Sequence, residues 1–309
     1  MDDVSSSTDW DVVIVGAGPV GGHAANLLSQ RGQRVLLLEE HSEIGRPFQC
    51  AGLVTPNAMK QVGLFDTILE EVDGALIHGP SGTLVPVGTS GKVRTYVVCR
   101  KLFDEGVVKQ SMLSGATLWL NSKPINAESN DDCVVIKLSK EGVETEITTK
   151  LLIGCDGAHS WTRRHFKMGR PKELMIGFQT EVVGYKNRKR WLEMYSGSAI
   201  APGFFAWVIP SGNDSCRIGL WSTADRLEGK SIEECYHSLL NHPLWKDRFA
   251  DIKETARYCG PVPSGMVKKP YKNRVLLLGD AAGMAKQTKE DEKKQKIKKK
   301  KKIKKKKKK

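Results

Sequence analysis

Gly16, Gly18 and Gly21 stand in a Gly-x-Gly-x-x-Gly turn, GAGPVG, and Glu39 follows 18 residues after the last of them. These residue types at this spacing suit a dinucleotide. Gly16 permits a tight turn, Gly18 lets the backbone approach a pyrophosphate, and Gly21 lets the following helix pack close to its strand. Unpaired N–H groups at the helix start attract phosphate, and the Glu39 carboxylate can accept bonds from ribose hydroxyls. The alternative is a glycine-rich turn in an unrelated α/β fold. Two more motifs end apolar runs with acid beside glycine: Cys155-Asp156-Gly157 and Gly279-Asp280. Asp156 is either part of a cofactor region or a plain strand end. Arg163 and Arg164 are either a solvated pair or contacts for an anionic headgroup or an NADPH phosphate. Neither the histidines nor the seven cysteines show metal-ligand spacing, so no metal site is expected.

The elements that must position these residues read as follows. Residues 11–15 and 34–38 are short buried strands around a helix over 23–29 that ends near Gly32. A Gly/Pro-containing loop covers 44–57, and turns alternate with short strands over 75–98. Residues 100–111 read as an amphipathic helix. Strands near 117–121, 133–138 and 144–149 form a small meander, and 151–153 is another buried strand. Runs at 176–184, 191–195, 203–209 and 216–221 suggest a second sheet, 225–240 a helix, and 274–278 a final buried strand.

Composition narrows the class. The chain has 309 residues, enough for one large domain or two ordinary ones. No apolar run is long enough to cross a membrane as a helix, and the acidic, Ser-rich start does not read as a signal peptide. The net charge is +14, but residues 289–309 hold 15 Lys against Glu290, Asp291 and Glu292. That run alone carries +12, leaving the body near +2, so a specific nucleic-acid-binding domain is not indicated. The lysine-rich tail is expected to be disordered and resembles translated poly-adenine. A polybasic segment for anionic lipid and a nucleic-acid contact are the lesser alternatives. Scattered free cysteines fit a reducing cytoplasm.

GAGPVG with Glu39, CDG at 155–157 and RVLLLGDAAG at 274–283 together resemble the FAD-dependent oxidoreductases of the aromatic-hydroxylase type. The loop over 43–52, Arg100 in RxxFD, the segment FAWVIP at 205–210 and the ending GDAAGMAK narrow the resemblance. They are similar to the geranylgeranyl reductase family, with the archaeal digeranylgeranylglycerophospholipid reductases as kin. The resemblance spans roughly residues 9–288. It implies an α/β fold with a Rossmann-like FAD-binding domain over 9–75, 95–174 and 265–288. A mainly antiparallel α+β substrate domain would hold 76–94 and 175–264, and the disordered tail 289–309.

The resemblance also implies roles. Gly16, Gly18, Val20 and Gly21 would sit at the FAD pyrophosphate, and Glu39 at the adenosine ribose. Cys50, Ala51 and Gly52 would line the flavin side, with Cys50 orienting substrate or supplying a proton. Arg100 would reach the phosphates and ribityl chain, and Gly279 and Asp280 the ribityl hydroxyls. Asp156 and Gly157 belong to the cofactor region. Pro124 falls where the family uses a backbone N–H near the adenine, a contact proline cannot make. Trp207, with Phe204, Phe205 and Trp221, would form an aromatic wall for a prenyl chain. The implied activity is hydrogenation of C=C bonds in geranylgeranyl chains of membrane lipid precursors, with NADPH or ferredoxin as electron donor. The implied setting is the cytoplasmic face of a membrane, in peripheral contact with lipid and with a redox donor protein. An FAD-dependent hydroxylase is the alternative. The family continues past GDAAG with further glycines and a helical portion. Here Gln287 and Thr288 run into lysines, so the chain is expected to be truncated, and an inactive FAD-binding remnant is a third reading.

Overall fold

A computed structural model describes residues 8–47, 50–186 and 188–285. The expectation for the tail 289–309 lies outside the described residues. In chain order the elements are β1 (Trp10–Val15), α1 (Pro19–Ser29), β2 (Val35–Leu38), β3 (Leu53–Val54), α2 (Pro56–Val62), β4 (Ile68–Val72), β5 (Gly74–His78), β6 (Leu84–Gly88), β7 (Thr95–Val98), α3 (Arg100–Leu113) and β8 (Thr117–Trp119). Then follow β9 (Ser122–Ser129), β10 (Val134–Lys140), β11 (Val143–Gly154), α4 (Trp161–His165), β12 (Glu173–Val183), β13 (Trp191–Ser196), β14 (Phe205–Pro210) and β15 (Ser215–Thr223). The last are α5 (Ala224–Leu227), α6 (Ile232–Leu240), β16 (Lys253–Ser264), β17 (Tyr271–Lys272) and β18 (Val275–Leu277).

The first sheet runs β17-β18-β11-β1-β2-β8 and is parallel from β18 to β8. Its strands are apolar on both faces, as a parallel sheet covered on both sides requires. One face buries Val12, Ile14, Val35 and Leu37 together with Ala25 of α1 and Val108 of α3. The other buries Val13, Leu36 and Leu38 with Ile136, Leu138 and Ile147, because β9, β10 and β11 fold back as an antiparallel layer. The second sheet, β16-β12-β15-β14-β13-β5-β6, is antiparallel except where β13 meets β5. Strand parity divides its faces. Ala206, Val208, Ile218 and Leu220 pack against Cys235, Tyr236 and Leu239 of α6. Trp207 and Ile209 face the other way, in a cluster with Ala51, Phe205 and Trp221. A small third sheet runs β3-β7-β4; Val72 and Val97 pack with Trp207 of the second sheet, and Val98 packs with Phe103 and Val107 of α3.

Several boundaries differ from the sequence reading. Helix α1 begins at Pro19, not near His23, because Gly21 and Gly22 are packing contacts rather than breaks. The runs at 144–149 and 151–153 are one continuous strand, β11. The helix expected over 225–240 is broken where Glu228 and Gly229 both take left-handed φ, 51° and 87°. A capping box of Ser231 and Glu234 then starts α6. Strand β9 escaped notice because Pro124 and Asn126 weaken its pattern. Strand β16 escaped because Gly260, Pro261 and Pro263 read as turn; they are tolerated on a sheet edge.

Behind the second sheet Glu193 is fully buried. It accepts bonds from Tyr185 (2.9 Å) and from Arg248 (2.7 and 2.8 Å), and lies 3.1 Å from His78 Nε2. Burial works against its charge, but His78, Tyr195 and Arg248 outweigh it and hold the carboxyl below its usual range. A carboxyl shifted down on folding stabilises above its unfolded pKa and loses that contribution as pH falls through the folded value. Glu193→Ala leaves the buried Tyr185, Tyr195 and His78 without their shared acceptor, and is expected to cost on the order of 1–3 kcal/mol at neutral pH. The deficit relative to the parent chain should shrink in acid, as thermal melts across pH will show.

Candidate functional site

The glycine turn after β1 is shaped by contact at two glycines and by space at the third. Gly16 has φ +98°, and a Cβ there would lie 2.6 Å from the Cys155 carbonyl oxygen. A Cβ on Gly21 would strike the Gly16 carbonyl oxygen. At Gly18 a Cβ would meet nothing within 4 Å. Gly18 is also the N-cap of α1, no side chain caps that helix, and Pro19 brings no N–H. The result is an open concavity at a helix N-terminus, the geometry that accepts an anion.

Glu39 closes one side of this turn. Its Oε2 accepts the Ala17 N–H at 3.0 Å, and its Oε1 accepts the His41 N–H at 3.1 Å. Its backbone oxygen accepts the Ser122 N–H at 2.8 Å. Pro124 lies buried two residues further along β9, opposite Leu138. On the other side Gly279, with φ +60°, lies against Val20, whose Cγ2 would be 3.0 Å from a Cβ. The Gly279-Asp280 turn and the glycine turn therefore face each other. Arg163 ties this arrangement together. Its guanidinium donates to the carbonyls of Ala281 (2.9 Å) and Ala158 (2.8 Å). It is buried and committed to backbone, which corrects its reading as a solvated charge or an anion contact. Arg164 is exposed. Asp156 turns inward: its carboxylate accepts from Ser160 Oγ (2.6 Å) and from Thr162 N–H (2.8 Å) and Oγ1 (3.0 Å). What it provides is the shape of its turn, where Gly157 has φ +69° and an open side. Burial pushes the neighbouring Cys155 thiol up to about 12, so it is inert as a nucleophile.

Arg100, at the start of α3, holds Asp104 one turn on in a forked pair of 2.8 to 3.1 Å. Burial disfavours its charge, but the Cys50 sulfur and Asp104 outweigh this and push its pKa up. Burial pushes the Asp280 carboxyl up, with Arg100 opposing. The Arg100 guanidinium thus pairs with Asp104 and acts electrostatically on Cys50 and Asp280.

The loop carrying Cys50 is gripped from its far side by a residue that sequence reasoning missed. Arg217 on β15 is 3% exposed. Its Nη1 donates to the carbonyls of Ala51 (2.9 Å) and Val98 (3.2 Å), and its Nε to Glu181 (3.2 Å). Gly52 has φ +77°, and a Cβ there would collide with Arg217 Nη1, so only glycine fits. The one available signal was a cation within the otherwise apolar strand SCRIGLWST. Beside this loop lies the aromatic wall. Trp207 and Trp221 meet edge to face at 5.3 Å, and Phe205 lies 6.2 Å from Trp221. Trp207 Nε1 donates to Gln179 Oε1 at 3.3 Å. Gly219 makes room for the Trp207 ring, which would be 2.6 Å from a Cβ. Phe204, also expected here, instead lies 5.0 Å from the Arg226 guanidinium.

Comparison with known proteins agrees with this geometry. The family model described as FAD binding domain matches residues 9–288. A digeranylgeranylglycerophospholipid reductase of Methanosarcina acetivorans is 31% identical over 282 residues, covering 88% of this chain and 69% of that protein. A geranylgeranyl bacteriochlorophyll reductase-like protein from Thermoplasma acidophilum has the same fold, with a TM-score of 0.79 and 24% identity over 89% of this chain and 72% of that one. The fold also extends to aklavinone-11 hydroxylase, with a TM-score of 0.69 and 18% identity over 90% of this chain and 58% of that one.

Proposed function

The chain belongs to the FAD binding domain family and, within it, to that of the digeranylgeranylglycerophospholipid reductases, and from this premise we propose that it hydrogenates C=C bonds of geranylgeranyl chains in membrane lipid precursors. The observation that carries this reading is the Cys50-Ala51-Gly52 loop, held between Arg100 and Arg217 and packed beside Trp207 and Trp221. That arrangement sets a polar, thiol-bearing edge against an aromatic wall, as a long apolar substrate with a reacting double bond needs.

The residues present fit FAD. The open side of Gly18 and the uncapped start of α1 suit its pyrophosphate, Glu39 its ribose, and Asp280 with Arg100 the linking chain. Bound there and reduced, the flavin would supply the hydride for reduction of the double bond and return to its oxidised form. The protein positions the chain against Trp207 and Trp221 and excludes water. Cys50, whose sulfur faces the Arg100 guanidinium, is placed to orient the substrate or to deliver a proton to the second carbon. In this reading residues 76–94 and 175–264 form the substrate domain, and the remainder of 9–288 holds the cofactor. NADPH or a ferredoxin supplies electrons, and the protein works at the cytoplasmic membrane face. Among the described residues no helix is long and apolar enough to cross a membrane.

The test is anaerobic. Protein loaded with FAD and chemically reduced is expected to regain its flavin absorbance when a digeranylgeranyl lipid is added, and not with the saturated lipid. Reoxidation by oxygen alone favours the hydroxylase.

A further inference from the structure

Strands β12 and β16 pair antiparallel, with Glu173 opposite Ser264. Their ends therefore bring two distant loops together. Lys167, Arg170 and Lys172 precede β12, and Lys268, Lys269 and Lys272 follow β16. These six exposed cations rim a cavity of about 460 Å³, and among the described residues no carboxylate lines it. Its floor is apolar. Met168 is buried there, while Met266 and Tyr271 are 46% and 56% exposed. The groove adjoins the cofactor side of the molecule. Val267 N–H donates to the Ala282 carbonyl at 3.0 Å, and Gly283 packs on Pro171 and Gly265.

Six like charges gathered around one groove repel one another until an anionic partner neutralises them. Taken whole, the lysine-rich run 289–309 has the same sign, +12 even with Glu290, Asp291 and Glu292, and adds to this charge. A nucleic acid would use the charges and leave the methionines uncovered. A phospholipid surface uses both: lysine stems lie along apolar surface while their heads reach phosphates, and tyrosine with methionine enters the headgroup layer. We propose that this groove is the face by which the protein docks on an anionic phospholipid membrane. The choice of lipid over another polyanion rests on the reductase reading, whose substrate resides in such a surface.

The experiment uses the full chain, so the lysine-rich run is constant throughout. Binding is measured to vesicles of phosphatidylcholine with phosphatidylglycerol, and to phosphatidylcholine alone. The variant Lys268→Glu/Lys269→Glu/Lys272→Glu is expected to weaken binding to the anionic vesicles by roughly a hundredfold. Met266→Ser/Tyr271→Ser, which leaves charge unchanged, should weaken it by roughly tenfold. Hydrogen exchange at 166–172 and 264–272 should slow when vesicles are added. Vesicle binding unchanged in both variants overturns the proposal. So does a charge variant that loses DNA and vesicles equally while the apolar variant loses neither, since the groove would then bind polyanions without regard to lipid. Reduction of detergent-dispersed lipid by the groove variants stays at the parent level if the reductase reading holds, and its absence in the parent chain would count against that reading alone.

Discussion

Gly18→Val is expected to abolish FAD retention while leaving the fold intact. Gly18 has φ −73° and ψ −177°, a conformation open to any residue, and a side chain there would meet no protein atom within 4 Å. The chain therefore gives no reason of its own for a glycine at this position; the proposed FAD pyrophosphate supplies one. A branched side chain should raise the dissociation constant for FAD by at least about a hundredfold, on the order of 3 kcal/mol, with an unchanged melting temperature for the apo chain. Gly21→Val is the contrast. Its Cβ would strike the Gly16 backbone, so that variant should lose folding and cofactor together. Flavin absorbance after desalting, read beside a thermal melt, separates the two. A Gly18→Val chain that keeps stoichiometric flavin would show that the turn does not hold the pyrophosphate.

Arg217→Met should have the next largest effect, and through position rather than contact with the reacting atoms. Arg217 is buried and holds the carbonyls of Ala51 and Val98 and the carboxylate of Glu181. Its removal takes a donor from each of these groups, at roughly 1–3 kcal/mol where the group is buried, as the Val98 carbonyl is. The Cys50 loop, whose Gly52 exists to admit this guanidinium, should relax. A displacement of the order of 1 Å at a reacting centre costs about a hundredfold in rate. We expect that loss in kcat, with FAD affinity largely kept because Gly18, Glu39 and Asp280 are untouched. Weakened flavin binding with normal turnover of the bound fraction would contradict a role at the substrate side.

What the sequence shows and hides follows from the range of each interaction. The turn from Gly16 to Gly21 and the acid at Glu39 are local, so strand, helix and acid declare themselves together. Arg217 acts on Ala51 and Val98, residues more than a hundred positions away, and nothing beside it in β15 announces that. Asp156 is the opposite case. An acid beside glycine at a strand end reads as a ligand, and only the structure shows that Ser160 and Thr162 also bond to it and fix the turn. Net charge misleads. A body near +2 says nothing of the six cations that β12 and β16 draw together. The broken helix at Glu228-Gly229 depended on two successive left-handed residues, and the pattern of apolar positions runs through them unmarked.

The most direct test of the account is the mass of the product. The FAD-loaded chain, kept reduced under argon, is given a digeranylgeranyl glycerophospholipid, and the lipid is recovered for mass spectrometry. Reduction of C=C bonds predicts products heavier by the mass of one hydrogen molecule for each bond, formed without oxygen and lost in Gly18→Val. A product heavier by one oxygen atom, formed only in air, would contradict the account and assign the chain to the hydroxylases. A lipid unchanged under both conditions would leave an FAD-binding chain without reductase activity.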